Sequence, residues 1–172
     1  MTTEYLYSKE VDHVLAALMP QNALIMRVSL HTGMRLSDVL ELRPDQLKPC
    51  GWYTEKKTGK RRRYGLPAGL LEEIKAQAGL EWAFPGRSPR GGHKTRQAVW
   101  KDVKRAQRAF RLPQNIGPHS MRKVYAVDLL QKYGNIERVR RALNHGSTSV
   151  TAIYAMADQL LERKLAARAR RR

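Results

Sequence analysis

Cysteine is almost absent from this chain, and acid is scarce. Cys50 stands alone among 172 residues. A single thiol excludes an intrachain disulfide and any zinc site built on cysteines, and it suits a reducing compartment. Fifteen Asp and Glu face thirty-three Lys and Arg, a net charge of +18 and a pI near 10.6. A field of that sign favours polyanions, nucleic acid before an anionic membrane. No apolar run approaches the roughly 18 residues that read as a membrane span. The opening MTTEYLYSKE carries no apolar stretch and does not read as a signal peptide. Two chemistries lack their motifs. GRSPRGGHKT departs from a Walker loop, because His93 separates Gly92 from Lys94. None of the five histidines forms a His-x3-His pair or sits with carboxylates at metal spacing.

What is present reads mostly as helix. The length suits one domain with a core and a tail, and 42% of the residues are hydrophobic. Ser8 begins an apolar-periodic stretch through about residue 19, with Val11, Leu15 and Leu18 on one stripe. A second helix, 22–32, ends at Gly33, a natural C′ residue. Ser37 is placed to cap a short helix over 38–42 before Pro44. The period then changes: GWYTEKKTGKRRRYGLP reads as a β-hairpin, with Thr58-Gly59 at its basic tip. Helices are expected over 67–78, over 95–110 with Thr95 as cap, and over 120–133, 135–143 and 147–156. Residues 81–94 read as loop, and 157–172 as a basic amphipathic helix. The fold class is therefore mainly α with a small antiparallel β-hairpin, an α+β arrangement.

Four polar clusters carry candidate chemistry. HTGMRLSDVLEL places Arg35 just past a helix-ending glycine. EKKTGKRRR puts Lys57 at the hairpin tip. GPHSMRKVYA sets His119 and Arg122 three apart, on one face of a helix start. LNHGSTSVTAIYA supplies His145 and Tyr154. Taken singly, each has an ordinary structural explanation: a surface arginine, a solvated turn lysine, a polar helix start, a core tyrosine.

In this order and with these flanks the clusters resemble the tyrosine recombinases, or phage integrases. The family pattern is Thr-Gly-x-Arg, hairpin Lys-Thr, His-x-x-Arg, Leu-Gly-His and Tyr. The chain has Thr32-Gly33-Met34-Arg35, Lys57-Thr58, His119-Ser120-Met121-Arg122, Leu143-Asn144-His145 and Ile153-Tyr154. Asn144 replaces the usual glycine, a mild change because asparagine tolerates a left-handed backbone. Asp38 replaces the usual glutamate and keeps its charge.

The resemblance implies the tyrosine recombinase catalytic-domain fold over 1–158, with 159–172 as a tail helix and the family's N-terminal core-binding domain absent. It implies a site-specific recombinase or integrase that cuts DNA through a 3′-phosphotyrosyl bond on Tyr154, without metal, ATP or other cofactor. Arg35 and Arg122 would hold the phosphate, His119 would accept the phenolic proton, Lys57 would protonate the leaving oxygen, and His145 would donate to the phosphate. Asp38 would orient Arg35 or a neighbour. Arg61, Arg62 and Arg63, with Lys101, Lys104, Arg105 and Arg108 on the long basic helix, would contact the DNA backbone. Double-stranded DNA is the implied partner, with dimers to tetramers of the chain assembling on it through the tail. Leu160, Leu161 and Leu165 suit docking on a neighbour or on the chain's own domain. A bacterial or phage-encoded cytoplasmic protein at the nucleoid fits this reading, with no membrane partner. Two alternatives share the fold or the chemistry: a DNA-binding regulator that does not cut, and a type IB topoisomerase that relaxes supercoils.

Overall fold

A computed structural model describes residues 6, 8–87, 91–143 and 166. His145, Tyr154, the expected helix over 147–156 and nearly all of the tail lie outside the described residues.

Seven helices and one hairpin follow in order among the described residues: α1 (Ser8–Ala17), α2 (Pro20–Thr32), α3 (Leu36–Leu40), β1 (Cys50–Thr54), β2 (Arg61–Gly65), α4 (Ala68–Gln77), α5 (Arg96–Ala109), α6 (Pro118–Tyr133) and α7 (Ile136–Leu143). A 3-10 turn, Pro44–Gln46, separates α3 from the hairpin. The central element is α2. Leu24, Ile25, Met26 and Val28 are all buried on it, because α1, α3, α4 and α6 pack around it. Phe84, Ile74, Val103 and Met121 complete the core from other elements. Each such side chain contributes about 1.5–3 kcal/mol by leaving water.

The start of α2 lacks a side-chain cap of its own. Asp102, buried on α5, supplies one from a distance. Its Oδ2 accepts from the Met19 backbone N–H at 2.8 Å and from Asn22 Nδ2 at 2.6 Å. A carboxylate there also complements the positive end of the helix. Burial opposes ionisation of Asp102, but hydrogen bonds from Asn22, Met19 and Arg105 outweigh it and hold the carboxyl below its ordinary value.

At its other end α2 stops at Gly33, left-handed with φ of 66°. A Cβ there would stand 2.5 Å from the ring of Tyr125 on α6. Gly33→Ala therefore carries about 1–3 kcal/mol of backbone strain, plus overpacking of about 1–3 kcal/mol. Thermal melting is expected to show a drop of roughly 5 °C or more, since 1 kcal/mol shifts a domain of this size by about 2–4 °C.

Thr95 caps α5 as the sequence predicts, accepting from Ala98 N at 3.1 Å. Two starts differ. Ser37 caps nothing: α3 begins at Leu36 with Arg35 as its extended N-cap residue. The helix expected from residue 120 begins at Pro118, whose missing N–H suits the first turn. The loop over 81–94 also gains order, through an antiparallel bridge between Pro85 and His93.

Candidate functional site

The hairpin strands pair antiparallel, from Cys50 opposite Gly65 to Thr54 opposite Arg61. Tyr53, Arg62 and Tyr64 point inward, while Trp52, Arg61 and Arg63 point to solvent. Lys57 sits on the turn between the strands. Gly59, with φ of 66°, lets that turn close, its N–H donating to the Glu55 carbonyl at 2.8 Å. The turn is tied to α3 twice: the Lys56 N–H donates to Asp38 Oδ1 at 3.1 Å, and Lys56 Nζ pairs with Glu41 Oε1.

These ties bring distant segments to one cavity of about 860 Å³. Arg35, Leu36, Ser37 and Leu40 form one wall, with Glu41 beside them; Lys56 and Lys57 form the turn side. His93, Arg96, Gln97 and Trp100 line the α5 side, and Pro118 and His119 the start of α6. Three candidate residues thus meet around one space: Arg35, Lys57 and His119. The fourth, Arg122, is buried and does not line the cavity; it bonds the Gly33 carbonyl through Nη1 and the Leu143 carbonyl through Nη2 at 2.6 Å. Those contacts join the end of α2, the start of α6 and the end of α7. Leu143 is the last described residue before His145.

The site is crowded with positive charge. Burial, then Arg35 and Arg62, lower the Arg122 guanidinium to about 10. It stays charged at neutral pH. The His119 imidazole is held below its usual value by desolvation first, then by Arg122, Arg96, Arg35 and Lys123. Neutral His119 is therefore the native form near pH 7. Folding disfavours its protonation, so as pH falls through 6.5 the unfolded chain takes up the proton first and this group costs stability. We expect His119 to titrate below 6.5 in NMR, and Arg96→Gln to move that titration upward.

Two carboxylates attend Arg35. Glu55, fully buried, places Oε1 2.8 Å from Arg35 Nη1 and 2.9 Å from Arg62 Nη1. Asp38, also buried, accepts from the Lys56 N–H of the hairpin turn and from the Arg35 backbone, and the Arg35 charge favours its ionised form. Burial is the main reason its carboxyl lies above the ordinary value.

The expected backbone grip also changes. Arg62 is only 9% exposed and turned inward onto Glu55, so it does not offer an outward contact. On α5, Arg105 is engaged with Asp102 and the Ala17 carbonyl. Lys104 holds Gln107 and Asn115. Arg61, Arg63, Lys101 and Arg108 remain exposed, and so does Arg105 despite its contacts. The sequence reading missed Glu55, Trp100 and His93. Strand alternation from Tyr53 offered one signal, since it places residue 55 on the inner face.

The described residues hold no group of three His, Cys, Asp or Glu placed for a metal ion. None of their helices is long and apolar enough to cross a membrane.

A helical body with one hairpin leaning over a cationic cavity is the fold of the tyrosine recombinase catalytic domain. The catalytic domain of bacteriophage HP1 integrase superposes with a TM-score of 0.66 at 21% identity, over 94% of this chain and 92% of that one. XerA recombinase superposes with a TM-score of 0.74 at 18% identity, over 98% of this chain and 64% of that one. The chain belongs to the phage integrase family, whose sequence pattern matches residues 4–160. It is 30% identical over 154 residues to a putative integrase/recombinase, y4qK, of Sinorhizobium fredii, covering 84% of this chain and 49% of that protein. It is 29% identical over 153 residues to the tyrosine recombinase XerC of Agrobacterium fabrum, covering 83% and 48%. The chain spans about half the length of these two relatives.

Proposed function

We propose that this chain is a site-specific DNA recombinase that cleaves and rejoins strands through a 3′-phosphotyrosyl bond on Tyr154. One observation carries the reading: Arg35, Lys57 and His119, from three separate segments, line a single open cavity, and the buried Arg122 charge acts on His119.

The chemistry follows from the charges. A phosphodiester carries one negative charge, and the transition state for attack on it about two. Guanidiniums at the non-bridging oxygens stabilise the second more than the first. Arg35, at the cavity wall, and Arg122 take this role. A phenol of pKa near 10 is only about one part in a thousand ionised at neutral pH, so attack needs a proton acceptor. Neutral His119 supplies it. The Tyr154 oxygen bonds to phosphorus, the bond to the 5′-oxygen breaks, and that oxygen takes a proton from Lys57. Rejoining runs the same transfers backwards, with a new 5′-hydroxyl as nucleophile. The phosphotyrosyl bond stores the energy of the broken one, so the cycle consumes none. His145 completes the set as a donor to the phosphate.

Residues 1–158 would form the catalytic domain, with 159–172 as the tail that joins copies on DNA. Exposed Arg61, Arg63, Lys101, Arg105 and Arg108 add backbone contacts, which position DNA without reading it.

The test is a covalent trap. Nicked suicide duplexes drawn from the DNA flanking the gene are incubated with the protein, and the adduct is digested for mass spectrometry. A nucleotide on the peptide containing Tyr154 is expected. No adduct on any such duplex sinks the reading, and relaxation of arbitrary supercoiled plasmid redirects it to a topoisomerase.

A further inference from the structure

Glu55 is a fully buried carboxylate in a strongly basic protein, and the steps above do not use it. It follows β1, and strand alternation from Tyr53 turns it inward. Oε1 meets both Arg35 and Arg62, at 2.8 and 2.9 Å. Oε2 accepts from Thr58 Oγ1 at 2.7 Å. Its backbone also closes the turn: the carbonyl accepts from Gly59 N at 2.8 Å, and the N–H donates to Lys60 O at 3.0 Å. One residue therefore joins a cavity-wall guanidinium to the turn that carries Lys57.

We propose that Glu55 is a positioning residue for strand cleavage: it fixes Arg35 relative to the Lys57 turn and balances the charge of Arg35 and Arg62. The inference deepens the recombinase reading and rests on it. Its physical basis is crowding. Arg35, Arg62 and Arg122 repel one another across a small, poorly solvated region. Guanidiniums in such a place need an anion between them, or they swing toward water. A phosphate entering the cavity supplies negative charge only after binding. Before that, Glu55 keeps Arg35 aimed, and the hydrogen bond to Thr58 keeps the lysine beside it in register. The same carboxylate repels DNA. Removing its charge should therefore leave binding as strong or stronger while slowing the chemical step. A merely structural residue would not produce that split.

The experiment is single-turnover cleavage of the nicked suicide duplex at saturating protein, with affinity for that duplex measured in parallel. Glu55→Gln is expected to cleave roughly 10²-fold more slowly, the scale of a small misplacement of reacting groups, with Kd unchanged or lower. Glu55→Asp keeps the charge and should recover part of the rate. Glu55→Gln combined with Arg62→Gln removes the surplus cation and should recover part as well, which guards against a fold defect in the single variant. Wild-type cleavage by Glu55→Gln overturns the proposal. So does a joint loss of binding and cleavage that neither Glu55→Asp nor the double variant recovers. Absence of any adduct with the wild-type chain is a different failure: it overturns the recombinase reading, and this inference with it.

Discussion

Lys57→Ala is expected to slow strand cleavage by roughly 10²–10⁴-fold, and to regain most of that loss when sulfur replaces the 5′-bridging oxygen of the DNA. A 5′-alkoxide is a poor leaving group and needs a proton as the bond breaks. A thiolate is far less basic and leaves without one. If Lys57 delivers the proton, the sulfur substrate has no use for it. If Lys57 only attracts the phosphate, sulfur changes nothing and the deficit persists. The recombinase reading implies the first role. Lys57 is exposed at the hairpin tip and lines the cavity, while the residues on either side are held: Lys56 by Asp38 and Glu41, Thr58 by Glu55. A tethered turn that holds the Lys57 ammonium at the cavity delivers a proton to a chosen atom. Single-turnover rates on paired oxygen and sulfur duplexes decide the matter.

Arg122→Gln is expected to cost at least about 10³-fold in cleavage with little change in melting temperature. The guanidinium has five N–H donors, and two carbonyls, Gly33 and Leu143, engage it from the protein side. In the recombinase reading the remaining donors would meet the phosphate. Loss of one preorganised donor to a developing anion costs about 10²–10³-fold, and Arg122 also contributes a full charge. Stability has two opposing terms. Orphaning buried carbonyls costs about 1–3 kcal/mol each. Against that stands relief from burying a cation whose pKa is pressed to about 10 by burial and by Arg35 and Arg62, a penalty of a few kcal/mol at about 1.36 kcal/mol per pKa unit. The terms nearly cancel. Thermal melts beside single-turnover rates check this: a normal rate removes Arg122 from the phosphate site, and a fall of roughly 10 °C or more shows that the carbonyl bonds dominate.

The conserved-looking words of the sequence were legible because each has a local physical cause. Gly33 ends α2 in a conformation that glycine adopts freely, so Thr-Gly-x-Arg reads as a helix end followed by an arginine. Trp52, Tyr53 and Thr58-Gly59 announce the hairpin without tertiary information. Thr95 announces α5. Charge was the misleading signal. Arg62 sits in a run of three arginines, and such a run reads as solvated; only pairing with Glu55, across the strand pair, turns it inward. Glu55 and Asp102 were invisible for the same reason. A lone acid in a basic segment looks like surface, whereas here each is buried against partners far away in the chain or across a turn. Ser37 was the wrong cap because Arg35 already holds the extended conformation that begins α3. The readings of His145 and Tyr154 concern residues outside those described.

The two ends of α2 are held by different parts of the molecule. One is clasped by Asp102 on the helix that presents Lys101 and Arg108; the other finishes at Gly33, whose carbonyl seats Arg122 two residues before Arg35. Thirteen residues at about 1.5 Å each make α2 a strut of roughly 20 Å. A ligand that pulled on α5 would load that strut, whose far end is the residue that seats Arg122.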